Sequence, residues 1–370
     1  MNITWFSWKD INHPLAGGAE AISWEIMSRL AENGHNVKLV TARYAGSTAH
    51  EVMNGVEIYR NGGTLSVYPK AFVLFRKKLA GWSDIVIDEM NTLPFGCAFY
   101  TRKKSALLVY QLARKVWLFQ AKFPLSVVGY AIEPLYLFTL SRRYKTILTE
   151  SESTRQDLTK YGFSAKNIHV FRVGIGLKPL QALNKKQSLD TVLILGALRP
   201  MKRTLSAVKG YELARDKNPD LTLTIAGDIT DPYASKVLKY IDNSRHVGSI
   251  KVLGRVSADE RIKVMRQASV ILVTSIKEGW GLTVTEANSQ GTPAIAYNID
   301  GLRDSIKDRE TGILVASGDE EALSRSINAL LSDKKAYAVL RNNAWQLSKQ
   351  YTFDNSYTDF LAAVDIETAH

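Results

Sequence analysis

Two carboxylates eight positions apart, Glu278 and Glu286, bracket a Gly-x-Gly turn, and this pattern constrains the chain more than any other. The run is Glu278-Gly279-Trp280-Gly281-Leu282-Thr283-Val284-Thr285-Glu286-Ala287-Asn288, closed by Gly291-Thr292-Pro293. Before it lies Val270-Ile271-Leu272-Val273, whose length and β-branching suit a buried parallel strand. The local order is therefore strand, glycine loop, helix start. At such a start the first backbone N–H groups lack intrahelical partners, and the helix dipole favours an anion there. Gly279 and Gly281 let a ligand approach the backbone closely. Glu278 sits in the loop and Glu286 about one turn into the helix. Free donors flanked by carboxylates suit a ligand with a diphosphate in the middle and hydroxyl-rich sugars at both ends.

The rest of the chain is α/β. Strands are expected at Ile3–Phe6, Val37–Thr41, Ile85–Ile87, Ala106–Tyr110, Thr146–Thr149 and His169–Val173, with a helix over Ala19–Asn33 capped by Gly34. Periodicity lapses from Gly174 to Leu189, through Lys178-Pro179 and Lys185-Lys186-Gln187-Ser188. A second series follows at Thr191–Leu195, Leu221–Ala226, Ile250–Leu253, Val270–Val273 and Pro293–Ala296. Alternating strands and helices imply two Rossmann-like, doubly wound parallel sheets. The expected domains are 1–175 and 190–344, joined by a linker over 176–189. Each such sheet binds ligands at the carboxyl ends of its strands, so two sheets facing each other would enclose a cleft.

Charge separates the halves. Residues 1–178 carry 23 Lys and Arg against 13 Asp and Glu, and the remainder 25 against 23, so almost all of the net +12 belongs to the first half. Arg76-Lys77-Lys78, Arg102-Lys103-Lys104, Arg114-Lys115 and Arg142-Arg143-Lys145 alternate with Phe72, Phe75, Trp82, Trp117, Phe119 and Phe123. This fits an anionic membrane surface, an anionic acceptor, or a solvated basic face with its aromatics in the core. No zinc spacing or single-strand-binding signature points to nucleic acid. The single cysteine, Cys97, allows no internal disulfide, which fits a reducing compartment. Met1–Phe6 reads as a strand, so a secretory leader is not expected. The longest apolar run, Pro124–Leu140, is interrupted by Glu133 and Pro134 and is too short to span a bilayer. A cytoplasmic protein, peripheral at most on the inner face of a membrane, is expected.

The double-Glu motif resembles the Glu-x7-Glu signature of retaining glycosyltransferases of the GT-B type, family 4. Further pieces match in order: His13-Pro14-Leu15-Ala16-Gly17-Gly18-Ala19-Glu20, Glu150-Ser151-Glu152-Ser153-Thr154, Leu195-Gly196-Ala197-Leu198 with Lys202, and Ile225-Ala226-Gly227-Asp228. Leu253-Gly254-Arg255-Val256-Ser257, Asp300-Gly301-Leu302-Arg303-Asp304 and Glu310-Thr311-Gly312-Ile313-Leu314-Val315 follow. The resemblance implies an acceptor-side first domain and a nucleotide-sugar second domain. It also implies C-terminal helices, around 345–370, that return to the first domain. It assigns Lys202 to the donor phosphates, the amides of Gly281, Leu282 and Thr283 to the diphosphate, Glu286 to the ribose and Glu278 to the transferred sugar. Gly17 and Gly18 fall beside diphosphate and sugar, and His13 falls on the acceptor side. Family members usually carry arginine where this chain has Ala197, and Arg199 is the substitute expected. Many carry histidine where this chain has Tyr110-Gln111, either of which could supply a hydrogen bond. Sugar choice is expected to depend on the shape around Glu278 and Trp280.

The implied activity is transfer of a hexose from a nucleotide diphosphate sugar to a hydroxyl of a glycan, lipid or lipid-linked acceptor, with no cofactor. No Asp-x-Asp motif or His/Cys cluster points to a metal, and no Gly-x-Gly-x-x-Gly follows the first strand as in dinucleotide oxidoreductases. A sugar-nucleotide epimerase and a non-catalytic binding subunit on the same scaffold are the alternatives.

Overall fold

The computed structural model describes residues 1–120 and 123–366. The chain divides into two compact units, Met1–Gly174 with Thr352–His370, and Ile175–Tyr351. Of the range 345–370 expected to return to the first domain, the last four residues lie outside the described residues.

In the first unit the strands are β1 (Asn2–Phe6), β2 (Asn36–Thr41), β3 (His50–Met53), β4 (Val56–Arg60), β5 (Ile85–Met90), β6 (Lys104–Val109), β7 (Thr146–Thr149) and β8 (Ile168–Val170). They form one sheet in the order β3-β4-β2-β1-β5-β6-β7-β8. Every pairing is parallel except β3 with β4. Its helices are α1 (Gly18–Glu32), α2 (Val67–Leu74), α3 (Trp117–Gln120), α4 (Leu125–Ser141) and α5 (Glu152–Lys160). The apolar face of α1, Ile22, Ile26 and Leu30, is buried as its spacing predicts. The β3–β4 hairpin is absent from the sequence expectation. Its turn is Asn54-Gly55 with both φ values positive, a recognisable two-residue hairpin signal.

The second unit holds β9 (Thr191–Leu195), β10 (Thr222–Ala226), β11 (Ile250–Gly254), β12 (Val270–Val273), β13 (Ala294–Tyr297) and β14 (Gly312–Val315). Their order is β11-β10-β9-β12-β13-β14, all parallel. Around them lie α6 (Thr204–Arg215), α7 (Pro232–Asp242), α8 (Ala258–Gln267), α9 (Leu282–Ser289), α10 (Leu302–Ser305), α11 (Glu320–Ser332) and α12 (Lys334–Ser348). The central strand β12 is buried on both faces, which explains its uninterrupted apolar sequence. Strand order reverses direction at β9, whose neighbours are β10 and β12. A doubly wound sheet opens its ligand crevice at this switch point.

The segment after Ile175 has no regular element, yet it is fastened to the second unit. Leu180 N–H donates to the Ser289 carbonyl at 2.9 Å, and Trp345 Nε1 donates to the Leu180 carbonyl at 3.0 Å. Lys186 Nζ donates to the carbonyls of Arg266 and Ala268, each at 2.6 Å, and to Thr292 Oγ1 at 2.9 Å. The last helix, α13 (Phe353–Val364), belongs to the first unit. There Phe360 stacks on Trp5 at 5.5 Å between ring centres, and both rings are fully buried. Burying a side chain of this size contributes about 1.5–3 kcal/mol. Arg172 grips Asp359, midway along the helix, through Nε and Nη2, each at 2.7 Å, a two-point contact. Among the described residues no helix is long and apolar enough to cross a membrane.

Candidate active site

Two loops meet at the switch point of the second sheet. One leaves β9 and runs through Arg199 to Lys202; the other leaves β12 and carries Glu278. Hydrogen bonds to main-chain carbonyls lock them together. Ile276 N–H donates to the Met201 carbonyl at 2.8 Å, and Thr274 Oγ1 donates to the carbonyls of Lys202 and Arg203, each at 3.0 Å. This brings Lys202 Nζ to 2.6 Å from Glu278 Oε1. Ser275 Oγ donates to the same oxygen at 2.5 Å. The pair is reachable, with side-chain exposures of 39% and 17%. An ammonium has three donors, so two remain for another ligand.

Helix α9 begins immediately after Gly281, whose φ of +95° is a conformation only glycine adopts without strain. Val284 N–H already bonds back to the Gly281 carbonyl at 2.8 Å. The amides of Leu282 and Thr283, one and two residues into the helix, have no intrahelical carbonyl to reach. The Asp300-Gly301 turn presses on this loop. A Cβ added to Gly301 would lie 2.4 Å from the Glu278 carbonyl oxygen, and φ there is +79°. Gly301 thus holds the Glu278 backbone in place, which accounts for the glycine in that motif.

Glu286 faces inward from α9 and pairs with Arg261 of α8. Burial pushes its carboxyl above the ordinary range, and the Arg261 guanidinium opposes the rise. Arg261 is a site residue that the sequence reading did not name. Its α8 is marked by the Ser257 N-cap, whose side chain accepts from Glu260 N–H, but nothing in the sequence announces a partner 25 positions away. Trp280, expected to shape sugar selection, is turned inward. It is 8% exposed, its Nε1 donates to Thr285 Oγ1 at 2.9 Å, and it packs on Tyr351. It supports the loop instead of facing a ligand. Arg199 is exposed beside Asp228, two residues past β10. The Thr230 amide and hydroxyl hold the Asp228 carboxyl below its usual range, with Arg255 and Arg199 adding to this.

The first unit has its own switch point at β1, between β2 and β5. Gly17 caps α1, and its N–H donates to Glu20 Oε2 at 2.7 Å, while Lys9 Nζ pairs with Glu20 Oε1 at 2.9 Å. Gly18 is the first helical residue. Neither glycine has positive φ, so what they provide is a helix start without side chains, not a special turn. Next to them Glu89 is fully buried and accepts from Trp5 Nε1 at 2.8 Å. Burial, with the Glu20 charge next, pushes its carboxyl up to about 7. His13 is half-buried, with Nδ1 accepting from Leu15 N–H at 3.0 Å, so its proton resides on Nε2. Burial and then Lys9 lower its pKa.

The two residues at the end of β6 behave differently from each other. Tyr110, expected on the acceptor side, is 4% exposed, and its hydroxyl lies 2.6 Å from Ser23 Oγ. It is a core residue tying α1 to the sheet. Gln111 keeps its side-chain oxygen buried and without a protein hydrogen-bond partner. Among the described residues no group of three or more His, Cys, Asp or Glu is arranged to hold a metal.

The second unit coincides with the family model for "Glycosyl transferases group 1", matched over residues 179–346, and the first with that for "Glycosyltransferase Family 4", matched over 16–178. The chain belongs to the group 1, family 4 glycosyltransferases. Its likeness to individual members is distant. A D-inositol 3-phosphate glycosyltransferase of Salinispora tropica is 25% identical over 46% of this chain, and a trehalose synthase of Pyrococcus horikoshii is 29% identical over 50%. The matched stretches cover 37% and 46% of those proteins, so this chain spans less than half of the curated relatives it matches. Among solved structures, sucrose-phosphate synthase of Thermosynechococcus elongatus superposes with a TM-score of 0.78 at 17% identity, covering 97% of each chain. HepE of Anabaena, solved with UDP-glucose, gives 0.75 at 16% identity over 99% of each chain. Both confirm the GT-B fold expected from the sequence.

Proposed function

We propose that this family member transfers a hexose, with retention of anomeric configuration, from a nucleotide diphosphate sugar to a hydroxyl of a glycan, lipid or lipid-linked acceptor. The observation that carries the reading is the Lys202–Glu278 pair at 2.6 Å, set at a switch point beside the start of α9. The donor diphosphate lies over the Leu282 and Thr283 amides, where the dipole and open N–H groups favour it. Negative charge grows on the leaving β-phosphate as the anomeric bond breaks. Lys202 supplies positive charge at that point, and Arg199 stands as the second cation. Preorganised charge aimed at a developing anion accounts for much of the rate enhancement in many enzymes. Glu278 accepts from hydroxyls of the transferred sugar, and Glu286 from the ribose. The leaving phosphate, on the same face of the sugar as the incoming hydroxyl, takes the acceptor proton. A relative named as a glycosyltransferase and the HepE structure in complex with UDP-glucose support this reading.

On the first unit, His13 and Gln111 form the acceptor side. The basic surface of that unit faces an anionic lipid leaflet at the inner side of a membrane. No step is assigned to a metal, so turnover persists in EDTA. A thermal-shift panel of UDP-, GDP- and ADP-sugars tests the donor assignment. At a hundred times Kd a bound donor stabilises by about 2.7 kcal/mol, so one base stands out. A flat panel refutes donor binding, and a donor sugar altered without transfer identifies an epimerase.

A further inference from the structure

Helix α4 has its polarity turned inside out. From Phe123 to Ser141 the only charged side chain is Glu133, and it is buried. Its carboxylate accepts from the amides of Ala113 and Arg114 at 2.9 and 2.6 Å and from Trp117 Nε1 at 3.1 Å. The outward face is apolar: Phe123, Leu125, Val128, Ile132, Leu135 and Phe138 are 84, 53, 46, 49, 67 and 47% exposed. The helical positions among them recur at intervals of three and four, so they form one stripe along the helix. A water-facing helix normally reads the other way. A patch this continuous marks an interaction site.

Charge says what covers it. From Asn91 to Ser151 the sequence has nine Lys and Arg, and its only acids are Glu133 and Glu150, both buried. The stretch of chain that carries α4 therefore exposes cations and no carboxylate. Cations lie over aromatic rings on the stripe and beside it. Arg142 sits 4.2 Å from the Phe138 ring centre, Arg114 4.4 Å from that of Tyr130, and Arg143 5.4 Å from that of Phe99. A second copy of this chain would bring like charges together along the same face, which opposes pairing. Anionic headgroups above an apolar phase complement both features at once. The helix has 17 residues, short of the roughly 20 needed to span a bilayer, so it fits the plane of the interface.

We infer that α4 is a membrane-inserting helix, lying in an anionic leaflet with Leu125, Val128, Ile132 and Leu135 in the acyl region and Arg142 and Arg143 on the headgroups. This deepens, and rests on, the reading of the first unit as membrane-facing. It places the docking element on an apolar stripe, on a different segment from the basic clusters Arg76-Lys77-Lys78 and Arg102-Lys103-Lys104. The basic clusters then attract and orient, while α4 holds.

The test uses the full chain with vesicles of phosphatidylglycerol and phosphatidylcholine, and with phosphatidylcholine alone. Wild type co-sediments with the anionic vesicles at low salt and far less with the neutral ones. The triple variant Val128→Gln, Ile132→Gln, Leu135→Gln retains every charge, and its vesicle affinity falls at least ten-fold. Its melting temperature and donor-induced shift stay at wild-type values, because the three side chains are solvent-facing. A polarity-sensitive fluorophore on Leu135→Cys, with Cys97 buried and unreactive, shifts to the blue on binding. Three results overturn the inference: no binding of wild type to anionic vesicles, undiminished binding of the triple variant, or an unmoved fluorophore on bound protein. A wild-type dimer that the triple variant dissolves assigns the stripe to a second copy and overturns it as well. Vesicle failure with an intact donor shift removes only the membrane assignment; a lost donor shift with intact vesicle binding removes only the transferase reading.

Discussion

Replacing each partner of the Glu286–Arg261 pair separates binding from folding. Glu286→Ala removes a carboxylate proposed to accept from the ribose. A hydrogen bond to a charged group contributes about 1.5–3 kcal/mol, so nucleoside diphosphate affinity falls by about 10- to 150-fold. The fold suffers little, because the Arg261 side chain left behind is 36% exposed and can turn to water. Arg261→Ala acts in the opposite sense. Its partner has only 12% side-chain exposure and stays in a poorly solvated place. Breaking a fully buried pair costs about 3–5 kcal/mol; the partial exposure of Arg261 brings this down to roughly 1–2 kcal/mol. The pH dependence carries a further signature. Burial already raises the Glu286 carboxyl above its ordinary 4.5, and without Arg261 it rises further. A raised carboxyl contributes stability that is present below pH 4.5 and lost as pH rises through the folded-state value. Arg261→Ala is therefore nearly as stable as wild type in acid and progressively weaker toward neutrality. Titration calorimetry with nucleoside diphosphates and denaturant unfolding across pH measure the two effects. Unchanged affinity in Glu286→Ala, or an Arg261→Ala deficit that does not depend on pH, refutes the reasoning.

Glu278→Ala spares nucleoside diphosphate binding and abolishes turnover, since its proposed contact is the sugar; steady-state rates beside calorimetry check the split. Lys202→Ala lowers kcat by about 100-fold or more, the usual consequence of losing one charge-stabilising donor; near-normal kcat rejects its role. Gly301→Ala strains a positive-φ backbone by about 1–3 kcal/mol and pushes the Glu278 carbonyl, so melting temperature and kcat fall together; loss of only one of them dissociates the turn from the site. Burial, then Arg341, pushes Lys186 down to about 7, although its three acceptor oxygens favour the ammonium. A depressed lysine contributes stability that is present above its ordinary 10.5 and lost as pH falls through the folded value. Wild type thus weakens from about pH 10 toward 7, and Lys186→Met lacks that slope in denaturant titrations.

The repeated strand–helix signals and the apolar run of β12 were readable because a buried parallel strand leaves a continuous apolar trace. The β12–Gly281–α9 unit was readable for a similar reason: strand, glycine and helix start are consecutive in sequence. Pairings across loops were not. Nothing near Lys202 announces that it meets Glu278 through Thr274 and Ile276, and nothing near Arg261 points to Glu286. Tyr110 was misplaced because the end of a strand looks the same whether its side chain enters the sheet core or the crevice; the 2.6 Å contact to Ser23 decides it. The apolar character of α4 was visible as an interrupted run, but the sequence hid that Glu133 turns inward and leaves the outer face bare. The Asn54-Gly55 turn of the β3–β4 hairpin is legible in the sequence as a two-residue hairpin signal.

Product analysis with the preferred donor and a simple alcohol or sugar acceptor tests the central claim most directly. The protein should release nucleoside diphosphate and form a new glycoside whose anomeric coupling constant, read by proton NMR, matches the configuration of the donor. Lys202→Ala should form almost none. An inverted anomer would contradict the same-face mechanism, and donor binding without any product would make the chain a binding subunit.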